Sequence, residues 1–190
     1  MAGGRAFAAT GKVDIHAILD DPEAPVGGNP DGNVTIVAFL DYNCPYCRKT
    51  APELRRFVTT DGKTKLIYKD WPILAVSSVF GARFALAANA QQKYEAAHDA
   101  LMAMQGPAAT KEAMRDAVAA AGVDMGRLDA DLTAHDKAIG AVLRRNNAQA
   151  KALGLEGTPV YLIGPYLVAS ALDYDGFAEV VGKFREQIGK

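Results

Sequence analysis

The feature that most constrains the fold is the segment of residues 34–47, in which a long apolar run leads directly into two cysteines. The run Val34–Leu40 predicts a strand buried on both faces, as in a largely parallel sheet. A helix is expected to begin near Pro45, because apolar residues then recur at helical spacing: Ala51, Leu54 and Val58. Proline suits a first helical turn, since its missing N–H would have had no partner there. The chain therefore passes from a strand to a helix at the cysteines.

The two cysteines, Cys44 and Cys47, are the only ones in the chain. Cys44 directly precedes the predicted helix, where free N–H groups and the helix dipole favour a thiolate, so its pKa should be depressed. Cys47 lies one turn further and can resolve a mixed disulfide. The spacing predicts a redox site.

Three other interpretations of the cysteine pair were weighed: half of a zinc site, a structural disulfide, and chance. Zinc needs four ligands, and the three histidines are scattered without paired spacing: His16, His98 and His135. A disulfide closing so short a loop would stabilise little. We therefore expect no metal, and no cofactor apart from the Cys44/Cys47 pair itself.

Composition bounds the remaining possibilities. With 190 residues, 49% of them hydrophobic, the chain can bury one core, with room for an inserted subdomain. Its net charge of -1 and lack of a Lys/Arg block argue against nucleic acid or an anionic membrane as the main partner. No apolar run approaches the ~20 residues of a membrane span.

The N-terminal segment, residues 1–24, contains Ala6-Phe7-Ala8-Ala9, which faintly resembles a small-residue cleavage site. We interpret Met1 as the start of a chain whose export signal was removed. The Asp-, Pro- and Gly-rich residues 20–32 predict an ordered loop that enters the sheet.

Beyond the cysteines, residues 65–71 predict a second strand, stopped by Pro72, so that a β-α-β unit forms. Pro52 should kink the intervening helix. Apolar residues then recur with helical period, and the predicted helices are Ser78–Ala90, Lys93–Met104, Lys111–Ala121, Met125–Leu132 and Lys137–Leu153. Their apolar stripe, with His98 beside it, is interpreted as core packing, and Arg144-Arg145 as a solvated helix face.

Strand character returns at residues 157–164, with 165–168 as a hairpin partner and a last helix capped by Asp173. A proline cannot donate to a strand ladder, so Pro159 requires an edge or a turn. A cis Thr158–Pro159 bond would provide the turn.

These motifs resemble, in their order, the DsbA-like thiol:disulfide oxidoreductases of the thioredoxin superfamily. The resemblance covers residues 25–188 and is carried by four segments: residues 39–47 with Cys-Pro-Tyr-Cys, residues 69–73, residues 98–102, and Gly157-Thr158-Pro159. It implies an α/β thioredoxin fold with a large all-helical insertion. The implied parts are residues 25–74 and 154–190 for the thioredoxin-like domain and 75–153 for the insertion.

The resemblance also implies roles for single residues. Cys44 would be the surface sulfur that exchanges with substrate, and Cys47 the buried resolving sulfur. Pro45 and Tyr46 would tune the redox poise, while Thr158 and the cis-proline Pro159 would bind substrate peptide.

One departure from the family pattern lies six positions before Cys44. Many relatives carry a buried acidic residue there, thought to help move the proton of the buried thiol, and this chain has Ala38. Lys69 is expected to substitute in part, or water to relay the proton.

The combined expectation is a periplasmic or otherwise exported monomer that oxidises cysteines of unfolded or partly folded proteins through mixed disulfides, and that a redox partner protein resets. The alternatives are a reductase or isomerase on the same fold and a copper(I)-binding protein that uses both thiolates. A glutathione transferase of the kappa group is disfavoured, because a Cys-x-x-Cys pair has no role in that class of enzyme.

Overall fold

A computed structural model describes residues 5–6, 13–106 and 109–189. Its central feature is a sheet of six strands in the order β1-β6-β5-β3-β4-β2. The strands are β1 (Arg5–Ala6), β2 (Val26–Gly28), β3 (Val34–Leu40), β4 (Thr64–Asp70), β5 (Val160–Ile163) and β6 (Tyr166–Val168). The helices are α1 (His16–Leu19), α2 (Pro45–Asp61), α3 (Val76–Ala88), α4 (Tyr94–Met102), α5 (Lys111–Ala120), α6 (Met125–Ala134), α7 (Asp136–Ala152) and α8 (Tyr174–Gln187), with a 3₁₀ turn at Asn89–Gln91.

Strand β3 lies at the centre of the sheet and is buried on both faces, as its sequence predicts. It pairs in parallel with β4, but antiparallel with β5, and the remaining strand pairs are also antiparallel. The expectation of a largely parallel sheet is therefore wrong, because the β5–β6 hairpin reverses direction beside β3. The expected α/β fold with a helical insertion is confirmed.

Helices cover both faces of the sheet. Helices α2 and α8 pack together on one face, where most of the core lies, and α1 and α7 cover the other with a smaller core. Helices α3 to α6 pack against one another, and α4 also contacts α2. Within the described ranges, no helix is both long and apolar enough to cross a membrane.

The five helices predicted between residues 78 and 153 are α3 to α7, each within two residues of its expected bounds. Thr110 and Asp173 cap α5 and α8 by accepting hydrogen bonds from Ala113 N at 3.1 Å and Gly176 N at 2.9 Å. Two parts of the N-terminal region differ from expectation: residues predicted as a loop contain strand β2, which pairs with β4 at the sheet edge, and α1 precedes it.

Arg145 also departs from its predicted solvated helix face. Its guanidinium bonds both carboxylate oxygens of Asp21 at 2.9 Å and Glu23 at 2.7 Å. The side chain of Asp21 is only 2% exposed. A short-range sequence pattern could not show this contact, because it joins residues that are far apart in the chain.

Candidate active site

Cys44 occupies the N-cap of α2, with Pro45 in the first helical turn, so the strand-to-helix transition lies where the sequence predicts it. The Cys44 sulfur accepts a long hydrogen bond from Cys47 N at 3.4 Å, and its thiol donates to the Thr158 carbonyl at 3.2 Å. Both cysteines are free thiols. The helix terminus thus holds the Cys44 sulfur between its own N–H groups and the loop before β5.

The two thiols differ in how readily they ionise. A hydrogen bond from the Cys47 thiol outweighs burial and, with Thr158 and the backbone N–H groups of Tyr46 and Cys47, lowers the pKa of Cys44 to about 6. Burial, reinforced by the hydrogen bond with Cys44, raises the pKa of Cys47 far above the ordinary thiol range. At neutral pH the thiolate is therefore on Cys44, while Cys47 keeps its proton.

Cys44 is less accessible than a surface sulfur. Its relative exposure is 3%, against 0% for Cys47, because the loop carrying Thr158 lies over it. Cys44 is the more exposed of the two sulfurs, as expected, but it is buried and not on the surface. Tyr46, in contrast, is 65% exposed beside it.

A groove of about 640 Å³ lies beside the thiols. Tyr46 lines one part of it, and residues 153–160, Leu167 and residues 169–171 line the rest. Thr158 and Pro159 form part of this wall, and the peptide bond between them is cis. The groove is mostly apolar, and Glu156 is the one charged residue among its lining residues in the described part of the chain.

The loop that carries Cys44 is anchored by Asp41, which is 1% exposed. One carboxylate oxygen accepts from Ile73 N at 2.7 Å and Leu74 N at 2.9 Å. The other accepts from Asn43 N and the Ser78 hydroxyl, each at 2.7 Å. Sequence reasoning assigned no role to Asp41, although a carboxylate at the carboxyl end of a buried strand was an available signal.

Asn43 strengthens the same anchor. Its side-chain amide donates to the hydroxyls of Ser77 at 2.9 Å and Ser78 at 3.0 Å and accepts from Ala109 N at 2.9 Å. The cysteine loop is therefore fixed to the helical insertion as well as to the sheet. The neighbouring surface at the start of α3 is apolar and exposed, with Ile73, Leu74, Val76 and Val79 between 37% and 78% accessible.

Lys69 does not lie where its expected role requires. Successive strand residues point to opposite faces, and Tyr68 belongs to the core cluster that contains Cys44 and Cys47. Lys69 therefore projects to the other face, where its ammonium, 0% exposed, pairs with Asp21 at 2.6 Å. The prediction that Lys69 acts beside the thiols is not supported by this position.

The next features are the position of His98 and the possible metal-binding groups. His98 is buried and its Nδ1 lies 3.0 Å from the Tyr42 hydroxyl, while burial lowers the pKa of His98 to about 3. In the residues that the structure describes, no group of three or more His, Cys, Asp or Glu side chains is arranged to hold a metal ion.

A sequence model described as thioredoxin matches residues 20–183, which is most of the chain. The chain belongs to the thioredoxin family. Among solved thioredoxin-like structures, it is similar to a thioredoxin-like oxidoreductase from Silicibacter pomeroyi DSS-3, with 38% identity, a TM-score of 0.85, and coverage of 92% of this chain and 99% of the other.

The thiol-disulfide exchange protein alpha-DsbA2 from Wolbachia pipientis is similar at 28% identity, with a TM-score of 0.83 and coverage of 90% and 91%. The resemblance to DsbA-like members of the thioredoxin family is thereby confirmed. Among curated proteins, the chain is 26% identical over 173 residues to the Na(+)/H(+) antiporter NhaA 3 from Salinispora tropica. The alignment covers 84% of this thioredoxin-family chain and 25% of the antiporter, so the chain spans about a quarter of that relative's length.

Proposed function

We propose that the chain oxidises pairs of cysteines in unfolded or partly folded proteins by donating a Cys44–Cys47 disulfide. The observation that carries this proposal is the placement of the two thiols: Cys44 at the N-cap of α2 accepts a hydrogen bond from Cys47 N, while Cys47 is fully buried. This placement makes the two thiols ionise unequally. A thiol that ionises readily is a good leaving group, so a mixed disulfide at Cys44 is released easily.

In the proposed reaction, a substrate thiolate attacks the Cys44 sulfur. The Cys44–Cys47 bond breaks, a bond between Cys44 and the substrate forms, and the electron pair stays on Cys47, which takes up a proton. A second substrate thiolate then attacks the substrate sulfur, and Cys44 leaves as a thiolate. The substrate is oxidised by two electrons, the cysteine pair is reduced, and a partner protein must reoxidise it.

The groove and the surface around it fit an extended, partly apolar peptide. Thr158 and Pro159 are proposed to contact the substrate backbone, and Pro45 and Tyr46 to tune the redox poise. The exposed apolar residues at the start of α3 would hold apolar segments that folded proteins hide. We extend the proposal to a monomer in an exported location, because disulfides persist in oxidising compartments.

The order of attack is tested by trapping. Cys47→Ser should accumulate mixed disulfides with a reduced, unfolded substrate protein when its Cys44 has first been activated with glutathione disulfide. Cys44→Ser should accumulate none. Faster alkylation of Cys47 than of Cys44 at pH 7 in the reduced wild-type protein would reverse the assignment.

The direction of electron flow is tested by the stability of the two redox forms. The depressed pKa of Cys44 stabilises the reduced folded protein fully above the unfolded-state pKa, and this contribution is lost as pH falls through about 6. It amounts to about 1 kcal/mol at pH 7 and almost nothing at pH 5, since each pKa unit is worth roughly 1.4 kcal/mol. Denaturant unfolding of both forms should show the reduced form gaining stability over the oxidised form between pH 5 and pH 7. The equilibrium with glutathione at pH 7 decides the direction: an oxidised form clearly favoured over the reduced one would point to a reductase.

A further inference from the structure

The Tyr161 hydroxyl is buried and has no hydrogen-bond partner in the described part of the chain. Tyr161 is 0% exposed, and its ring packs edge-on against Phe177 with centroids 5.0 Å apart. A buried hydroxyl without a partner costs free energy. This cost is offset if the hydroxyl gains a hydrogen-bond partner in another state of the molecule.

The sheet register places Tyr161 next to the cysteines. Tyr161 on β5 lies directly opposite Ala38 on β3, and both belong to the core cluster of Cys44 and Cys47. The small Ala38 side chain leaves room for the phenol on this face of the sheet. Thr50 follows Cys47 by one turn of α2 and lies near the Tyr161 hydroxyl. Its own hydroxyl proton goes to the Leu172 carbonyl, and the two hydroxyls do not reach hydrogen-bond geometry.

Few ionisable groups lie near the Tyr161 hydroxyl. Burial raises the pKa of Tyr161, and the nearby Thr50 side chain lowers it. Negative charge on Cys47 and then on Cys44 raises it, so the hydroxyl lies within electrostatic reach of both sulfurs. Among the described residues, those that meet Tyr161 from neighbouring elements carry no titrating group: Ala38 from β3, Val168 from β6, Phe177 from α8 and Thr50 from α2. The two sulfurs are thus the ionisable groups with which the Tyr161 hydroxyl can interact.

We propose that Tyr161 is a positioning residue whose hydroxyl donates a hydrogen bond to the Cys47 sulfur whenever that sulfur is a thiolate. The inference rests on the proposed function, because Cys47 is charged only during disulfide exchange. The hydroxyl can turn about its C–O bond without moving the packed ring. Tyr161 keeps its proton throughout and only orients it toward the charge.

The step that depends on this contact is the resolution of a mixed disulfide. When glutathione disulfide oxidises the reduced protein, the Cys44 thiolate first forms a Cys44–glutathione bond and releases one glutathione. The Cys47 thiol then loses its proton to solvent and attacks the Cys44 sulfur. The Cys44–Cys47 bond forms, the second glutathione leaves as a thiolate, and two electrons have passed from the protein to glutathione disulfide.

The matched variants are Tyr161→Phe and Tyr68→Phe. Both remove a tyrosine hydroxyl from the same core, but that of Tyr68 bonds Glu95 at 2.8 Å. In Tyr161→Phe we expect the resolution step to slow about threefold at pH 7, because a tenfold loss of Cys47 thiolate is partly offset by its greater nucleophilicity. The resolution rate should rise with pH in both proteins and stay about threefold lower in Tyr161→Phe. The first step of Tyr161→Phe and both steps of Tyr68→Phe should be unchanged. Unaltered resolution kinetics in Tyr161→Phe would overturn the inference.

A second measurement removes dependence on the loss of the hydroxyl. 3-Fluorotyrosine keeps the ring and the hydroxyl but is a stronger hydrogen-bond donor, so at position 161 it should speed the resolution step, and at position 68 it should leave that step unchanged. An unchanged rate with 3-fluorotyrosine at position 161 would also overturn the inference. Failure of the wild-type disulfide to oxidise a reduced, unfolded substrate protein would instead count against the proposed function, while the reaction with glutathione disulfide would still report on Tyr161.

Discussion

Asp70, at the end of β4, is a buried carboxyl close to the cysteine loop. It is 2% exposed and accepts from the Tyr94 hydroxyl, with distances of 3.2 and 3.1 Å to its two oxygens. Burial raises the pKa of Asp70 to about 7 against the hydrogen bonds of Tyr42 and Tyr94, and the negative charge of Asp41 adds to the rise. Asp70 therefore changes charge near neutral pH inside the core.

Replacing Asp70 by asparagine should stabilise the protein in neutral and basic solution. The native carboxyl holds a proton between about pH 4 and pH 7 that the unfolded chain releases, so wild-type stability falls across this window and is level above it. Asp70→Asn removes this loss, and its advantage in free energy of unfolding should grow from near zero at pH 4 to at most about 4 kcal/mol at pH 8. Urea denaturation at both pH values measures it, with the exposed Asp31→Asn as control. An advantage of equal size at both pH values would show that titration of Asp70 is not its cause.

At the level of secondary structure, the C-terminal helix α8 is held to the end of α2 by Arg185. The guanidinium bonds both oxygens of Asp61, and its Nε donates to Asn33 at 3.1 Å. The hydrogen bonds from Arg185 outweigh burial, which raises the pKa of Asp61, and together with a hydrogen bond from Thr64 they lower this pKa to about 2. The side chains of Arg185 and Asp61 are 19% and 11% exposed, so solvent screens this pair less than a surface pair.

Arg185→Gln should lower the free energy of unfolding by about 1–2 kcal/mol at pH 7. The depressed pKa of Asp61 means that the contribution is complete above about pH 4 and is lost as pH falls through about 2. Lys183→Gln on the same helix breaks a pair whose two side chains are more than half exposed, so it should lower the free energy of unfolding much less than Arg185→Gln. Equal decreases in the free energy of unfolding of the two variants would mean that the Arg185–Asp61 pair does not stabilise the packing of α8.

The sequence predicted the elements that depend on neighbouring residues and missed those that depend on contacts between distant residues. Strand β3, the α2 N-terminus and the cap of α8 follow from neighbouring residues, because β-branched runs, proline and capping side chains act locally. Strand β2 is short and two-thirds glycine, and its pairing with β4 at the edge defines it rather than its propensity. Tyr161 carried no local pattern, since the sheet register brings its neighbours to it. Asp41 carried one local signal, its place after a buried strand, but its partners at residues 73–78 come from another part of the chain.

At the scale of the whole molecule, Asp21 joins three distant parts of the chain. It lies between α1 and β2, and it bonds Lys69 on β4 and Arg145 on α7. Burial alone would raise the pKa of Asp21, but the hydrogen bonds from Lys69 and Arg145 outweigh it and lower the pKa. Because the Lys69 ammonium is fully buried, its charge depends on this partner.

Asp21→Ala should therefore lower the free energy of unfolding by about 3–5 kcal/mol, the usual cost of leaving a buried charge unpaired. Lys69→Met in the Asp21→Ala background should recover most of that loss, because methionine fills a similar volume without a charge. Chemical denaturation of the wild type, both single variants and the double variant gives the coupling. A double variant that is as unstable as Asp21→Ala would show that packing around Asp21, not the isolated charge, is what is lost.

The four hydrogen bonds accepted by Asp41 also limit how this protein can be recombined with its relatives. Two of the donors are backbone N–H groups of Ile73 and Leu74, and one is the Ser78 hydroxyl at the start of the helical insertion. A chimera that exchanged the insertion would have to supply the same donors at the same junction, or leave a buried carboxylate unsatisfied beneath the cysteine loop. The junction at residues 73–78 is thus part of the reactive centre, and a graft should keep it from the parent that provides Cys44.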